Sequence, residues 1–466
     1  VAIVSTQQEC TVSNPSPPAS AGLGFKALFA AAIGVIVAQI GMVSSAQGIG
    51  IGGWGFLVAL GIAFAISLAN AFAYAEMSLM LPSQGSLSSF AEAAIGNFPA
   101  IMLVFAGYVT PAIFGLPAEL ILADSVLTDA LKLPLPPYFW PVAIVVVFAA
   151  LNILGTDVFA KVQTLLSFIV LLFLGLLGAV ALGGGASAAP AEGAGLAQLS
   201  NGTVAIGLVA LAFWVFAGIE FVTPLVTEAR NPRRDLPRAM ILGLVALLAV
   251  QVLFVLGATT LLPREKLATA PTPHLDVATA VLGPNAGVVI AVLALLASAS
   301  LINTVLAAVP RMLAGMADNG QVFPLLKYRH PRLGTPVVAI LFVAALPLIG
   351  LAWSGGKVEA ILPLMIAASV AWLMAYVMAQ VSLMVLRARH PELPRPFKVP
   401  GYPVVPLLAI AGMVFVIANS SPAPEMTRAI VTYTGVVLAV FAVVGALWVK
   451  AVMKKGLFQP VKPHLG

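Results

Sequence analysis

The chain has 466 residues, 61% of them hydrophobic and 9% charged, with a mean hydropathy of +1.07, values that exclude an ordinary water-soluble domain and point to a membrane protein. A net charge of +6 does not make it a nucleic-acid binder, because the basic residues fall between apolar runs and do not gather on one water-facing surface. A single cysteine, Cys10, and four scattered histidines, His274, His330, His390 and His464, leave no intrachain disulfide and no thiolate metal site, so no metal and no cofactor are expected.

Residues 1–24 are rich in Ser, Pro and Gln and carry no Lys or Arg ahead of an apolar core, which reads as a disordered tail and not as a secretory signal. A bilayer-crossing helix needs about 20 mostly apolar residues. Apolar runs of that kind lie near 25–50, 54–80, 98–128, 138–154, 158–182, 203–226, 237–262, 284–314, 335–352, 359–387, 402–419 and 428–450, roughly twelve spans by that length criterion. The Gly- and Ala-rich stretch 183–202 reads as an external linker, and no connection is long enough to hide a soluble domain. Eighteen of the 23 lysines and arginines fall in alternate connections, among them Arg230, Arg233, Arg234, Arg238, Arg311, Arg387 and Arg395. The positive-inside rule then places both termini in the cytoplasm, with residues 451–466 forming a second cytoplasmic tail.

Ionisable groups inside the hydrocarbon layer are costly and mark functional positions. Glu119 in the third span and Glu220 in the sixth are of this kind, while Glu76 and Asp124 near span ends are expected to be solvated at the interface. Glu220 lies in the segment Phe213-Trp214-Val215-Phe216-Ala217-Gly218-Ile219-Glu220-Phe221, with Pro224 one turn on, where Gly and Pro weaken helix continuity. The first span turns polar over residues 38–48, through Gln39, Gly41, Ser44, Ser45, Gln47 and Gly48. Each irregularity has a plainer reading, a kink in the sixth span and close helix contact through small residues in the first. A break in span one matched by a break in span six is also the mark of an inverted repeat with a midplane binding site.

These residues resemble the amino acid–polyamine–organocation transporter family. The similarity rests on Trp214 to Glu220 followed by Glu228-Ala229-Arg230-Asn231-Pro232-Arg233-Arg234-Asp235-Leu236-Pro237-Arg238. Further blocks agree: Tyr74-Ala75-Glu76, Pro82 to Gly85, Pro310-Arg311 through Gly320, and Leu393 to Pro403. The resemblance implies an all-α polytopic fold of the leucine-transporter type, about 12 helices in a 5+5 inverted repeat with helices 1 and 6 broken. Residues 25–182 would form the first repeat, 203–387 the second, and 402–450 the last two helices. It also implies a substrate site at Gln39, Ile40, Gly41, Met42, Tyr108, Phe216, Ala217, Gly218, Ile219 and Glu220, with Trp214 as an aromatic gate and Glu220 as a proton-coupling candidate. The family's small-residue triplet in helix 1 is absent, so a substrate without a carboxylate competes with an amino acid. Where some members carry a lysine in helix 5, this chain aligns Val170. Sodium coupling would draw on Ser298, Ser300 and Thr304, hydroxyls that also bond within their own helix.

The function expected is uptake or exchange of an amino acid or amine by alternating access, with a cationic amino acid, amine or polyamine favoured and a neutral amino acid permease as the alternative. The partners expected are that small molecule, a coupling proton or sodium ion and the lipid bilayer, with no nucleic acid, in a monomer or homodimer of the inner membrane. A channel would call for rings of charge or carbonyls from a symmetric assembly, and a membrane enzyme for a nucleophile–base pair or metal cluster.

Overall fold

The computed structural model describes residues 22–201, 208–357, 361–420 and 424–462. The expected tail before residue 22, Cys10 and His464 lie outside them. Among the described residues the chain is helical, and the one bridge outside helices joins Leu23 to Ala229. Nine described helices are long and apolar enough to cross a membrane, and Phe139–Ile153 (α7) and Val404–Ala418 (α16) are shorter apolar helices. Their bounds lie within a few residues of the apolar runs, because Pro, Gly and charged residues interrupt both the hydropathy and the helices at the same places.

The first span is split. Helix α1, Phe25–Ile33, stops at Gly34, and helix α2, Gln39–Gly52, starts again after an extended Ala38 at φ −86°, ψ 159°. Between them the amides of Ile36 and Val37 both donate to the carbonyl of Ile33. The break therefore precedes the polar stretch that was expected to carry it. Gly34 leaves room for side chains of two neighbouring helices, since a Cβ there would lie 2.1 Å from Thr304 Oγ1 and 2.3 Å from Gln163 Nε2. The β-branched residues Val35, Ile36 and Val37 follow, a run with low helix propensity.

The sixth span is split as well. Helix α9, Val209–Trp214, gives way to a turn through Gly218, and the chain continues as a 3-10 helix over Ile219–Glu228. Gly218 sits at φ +113°, a backbone conformation that a side chain disfavours.

Around these two spans stand α3 (Trp54–Met80), α6 (Thr110–Leu131), α8 (Thr156–Leu182), α10 (Pro232–Leu261), α13 (Gly287–Asp318), α14 (Val337–Ser354), α15 (Ile361–Arg389) and α17 (Pro424–Leu447). After the short helix α4 (Leu87–Ala94), helix α6 continues α5 (Asn97–Val104) through a π-helical turn at Phe105–Val109. Helix α8 shows how the bundle is solvated: Gln163, Ser167, Val170 and Leu174 are buried, whereas Leu165, Phe168, Leu172 and Leu176 are exposed. In water such an exposed stripe is unfavourable, and in a bilayer acyl chains cover it.

The connections are more structured than a linker reading suggests. Residues 196–201 form a 3-10 turn, and 264–282 fold into two short helices, α11 (Arg264–Thr269) and α12 (Pro273–Leu282). Arg264 donates to the carbonyls of Gly50 and Ile51, fastening α11 to the end of α2. At the arginine-rich end Glu76 is fully buried, not solvated as expected. It accepts hydrogen bonds from the Arg387 guanidinium and from the Val399 amide at 2.6 Å, with Arg395 Nε 3.4 Å away. A buried carboxylate needs such partners, since an unpaired one would cost several kcal/mol or shift its ionisation. Arg311 similarly binds Glu228 at 2.9 Å and Thr156 at 2.8 Å, joining α13 to the end of the sixth span and the start of α8.

Candidate functional site

A small apolar cavity lies where the two breaks face each other. Its wall is built from Val35 in the first break, Tyr108, Pro111, Ala112, Gly115 and Leu116 of the third span, Trp214, Ala217 and Phe221 around the second break, Leu301 and Val305 of α13, and Trp372 of α15. Trp214 and Trp372 meet edge to face with ring centroids 6.0 Å apart, and Phe221 packs between Trp372 at 5.6 Å and Tyr108 at 5.0 Å. Aromatic faces of this kind accept an alkyl chain or a cation.

Of the residues singled out from the sequence, Tyr108, Trp214 and Ala217 line this cavity. Gly218 brings backbone between Val35 and Trp372: a Cβ there would lie 2.7 Å from Val35 Cγ1 and 3.5 Å from the Trp372 ring. Phe216 turns away to meet Phe64 at 5.8 Å, and Ile219 points to Gly243 of α10.

Glu220 stands behind the wall. Its carboxylate is fully buried and accepts hydrogen bonds from Trp372 Nε1 at 2.9 Å, Tyr108 Oη at 3.3 Å and the Tyr376 hydroxyl. Tyr376 in turn accepts from the Gly218 amide at 3.2 Å. Three neutral donors from two helices therefore hold one carboxylate against the second break. Two of those donors, Tyr108 and Trp372, are themselves cavity wall. Trp372 and Tyr376 are one turn apart in an alanine-rich span, and that i, i+4 aromatic pair was the signal in the sequence that would have found them.

Gln39, Ile40, Gly41 and Met42 form the first turn of α2 and not an unwound stretch. The Gln39 and Ile40 amides donate to the two oxygens of Glu119 at 3.1 and 2.9 Å. Ser298 Oγ donates to the same carboxylate at 2.6 Å, and Gln39 Nε2 donates to Ser298 at 2.8 Å. The Gln39 side chain continues to His274 Nε2 at 3.2 Å. Burial pushes the His274 imidazole down to about 3, so it is neutral at physiological pH.

A third polar cluster presses on the first break. Ser300 Oγ donates to the Gly34 carbonyl at 2.9 Å, and Ser167 Oγ to the Ala30 carbonyl at 3.0 Å. Gln163 Nε2 donates to both Ser300 and Ser167 at 2.8 Å, while its Oε1 accepts from Asn303 Nδ2 at 2.9 Å. Helix 5 thus meets the break with Gln163 and Ser167. Val170, the residue aligned from the sequence, instead faces a separate apolar space beside Met42 and Phe254. Of the three α13 hydroxyls, only Thr304 bonds within its own helix, to the Ser300 carbonyl; Ser298 and Ser300 reach across to other helices. Among the described residues no group of three His, Cys, Asp or Glu side chains could hold a metal ion.

Comparison with known proteins gives four findings. The family model described as amino acid permease matches residues 23–451. The chain is 26% identical over 407 residues to the branched-chain amino acid permease BcaP of Bacillus subtilis, covering 83% of this chain and 85% of that protein. It is 27% identical over 370 residues to the serine/threonine exchanger SteT of the same organism, covering 76% and 80%. Among solved structures, the nucleobase-cation-symport-1 family transporter Mhp1, in a closed conformation with bromovinylhydantoin bound, superposes with a TM-score of 0.56 at 15% identity. That match covers 95% of this chain and 97% of Mhp1, a likeness of fold.

Proposed function

Because the chain belongs to the amino acid permease family, and is thus a multi-pass membrane transporter of amino acids or related organocations and not an enzyme, we propose that its substrate binds in the cavity between the two breaks and carries a positive charge. Glu220 is the observation that supports this most. It is a buried carboxylate with three neutral donors and no Lys or Arg among its hydrogen-bond partners. An ammonium arriving at the second break would find carbonyl ends of α9, four aromatic rings and that carboxylate behind them. Phe216, Ala217, Gly218 and Ile219 supply the backbone, Trp214 closes the cavity, and Tyr108 and Trp372 stand between the substrate and Glu220, to which they donate. Counterflow in proteoliposomes against amino acids, amines and polyamines tests the reading: saturable exchange of a cationic solute is expected, and exchange confined to neutral amino acids would refute it.

The neutral alternative has its own support in the apolar cavity wall, which suits an aliphatic side chain, and in the substrates that the names of BcaP and SteT give for those proteins. The residues 25–182 and 203–387 would act as two repeats that rock against each other, exposing the cavity alternately. The arginine-rich end, and with it both termini, would face the cytoplasm of the inner membrane. Coupling to protons is favoured over sodium, because Gln163 points N–H donors at the hydroxyls beside the first break, and donors repel a cation. Uptake that follows a pH gradient and is unchanged in sodium-free medium is the expected result.

A further inference from the structure

The first turn of a half-helix near the bilayer midplane is where an anionic group of a substrate finds free amides and a favourable dipole. In this protein that place is taken by the chain itself. Glu119 Oε1 and Oε2 each accept one amide, from Gln39 at 3.1 Å and Ile40 at 2.9 Å, so the carboxyl group lies across the start of α2 as a two-pronged acceptor. Ser298 Oγ adds a third bond at 2.6 Å, and the amide of the next residue, Gly41, is already bonded to the Ala38 carbonyl at 3.2 Å. The carboxylate is fully buried. Glu119 follows the wall residue Gly115 by one turn of α6, which places it on the cavity-facing side of that helix and one turn beyond the wall.

We propose that Glu119 is a specificity-determining residue that fills the seat of a substrate carboxylate, so that the protein carries amines that lack an α-carboxylate and rejects the amino acids from which they differ by that group. This rests on the reading that the substrate binds between the two breaks, and it names the substrate class. Two consequences follow from the occupied amides. A second carboxylate brought to the start of α2 finds those amides already bonded and no spare donor, and the amine end of the same molecule retains everything offered by the second break. Discrimination therefore arises at Glu119 and not at Glu220.

The experiment pairs each amine with its parent amino acid: isoamylamine with leucine, putrescine with ornithine, agmatine with arginine, phenethylamine with phenylalanine. Binding is measured by competition on the full-length protein in proteoliposomes. Native protein is expected to bind at least one amine tighter than its parent by about tenfold or more. Glu119→Ala frees the two amides and is expected to reverse that preference, and added acetate, by reoccupying them, to restore it. Glu119→Gln keeps the shape and one acceptor, and its preference is expected to shrink without reversing. Because the native protein is compared with itself across ligand pairs, a variant that fails to fold does not decide the matter. Native protein that binds the amino acids more tightly than the amines overturns the assignment of Glu119 and leaves the cavity reading standing. Native protein that binds neither class overturns both.

Discussion

At the second break single atoms decide what the site can hold. Gly218→Val would place a branched side chain at φ +113° with its Cβ 2.9 Å from Val35 Cβ. Strained backbone of this kind costs roughly 1–3 kcal/mol before any contact is counted. Substrate binding is expected to be lost while the protein still reaches the membrane, checked by ligand binding beside an immunoblot of the membrane fraction. Unchanged binding would remove the sixth span from the site. Glu220→Gln keeps the acceptor for Trp372 but cannot ionise. If protons and a bound ammonium compete for this carboxylate, native affinity falls as pH falls and the Gln variant shows a weaker, flatter profile. Parallel curves for the two proteins would make Glu220 a pin between helices and nothing more. The sequence exposes Glu220, Gly218 and Trp214 because charge, glycine and tryptophan are rare in an apolar span. It hides Val35, Leu301 and Val305, which are ordinary membrane residues until the fold brings them together.

Among the elements, the two breaks differ in how they are written. The sixth carries Gly218 and Pro224 and could be placed from residue types. The first falls at Gly34 inside an uninterrupted apolar run, and the polar residues after it are helical because Glu119 caps them. That cap lies 79 positions away in sequence, beyond the reach of any local pattern. The same is true of the joint that holds the first break, where α8 and α13 meet it through Gln163, Ser167, Ser300 and Asn303. Gln163→Leu would strand the Asn303 amide and remove both donors, costing roughly 1–3 kcal/mol for the buried polar group left unpaired. A lower midpoint of thermal unfolding in detergent is expected, with no comparable fall for Thr164→Val on the flank of the same helix. Equal midpoints for the Gln163 variant and native protein would show that the joint is not structural.

For the molecule as a whole, class and span positions were legible because hydropathy and chain punctuation act over whole helices. The motifs that carry the family resemblance proved to lie mostly away from the cavity. Glu76, Arg387 and Arg395, and Glu228 with Arg311, form buried or half-buried clamps at the arginine-rich end. They record how the fold is closed more than what it carries, which is why the motifs named the family and left the substrate open. The proposed orientation predicts that cysteines introduced at Ser187 and Arg234, with Cys10 replaced by Ser, react with an impermeant maleimide from opposite sides of the membrane. Labelling of both positions from the same side would refute that topology. The joint at the first break has an electrical consequence too. It consists of amides and hydroxyls, so rearranging it moves dipoles and no whole charge through the field, whereas a full charge crossing the membrane is worth about 2.3 kcal/mol per 100 mV. Voltage would then act on turnover through the charge of the cargo, and would pass the joint at the first break by.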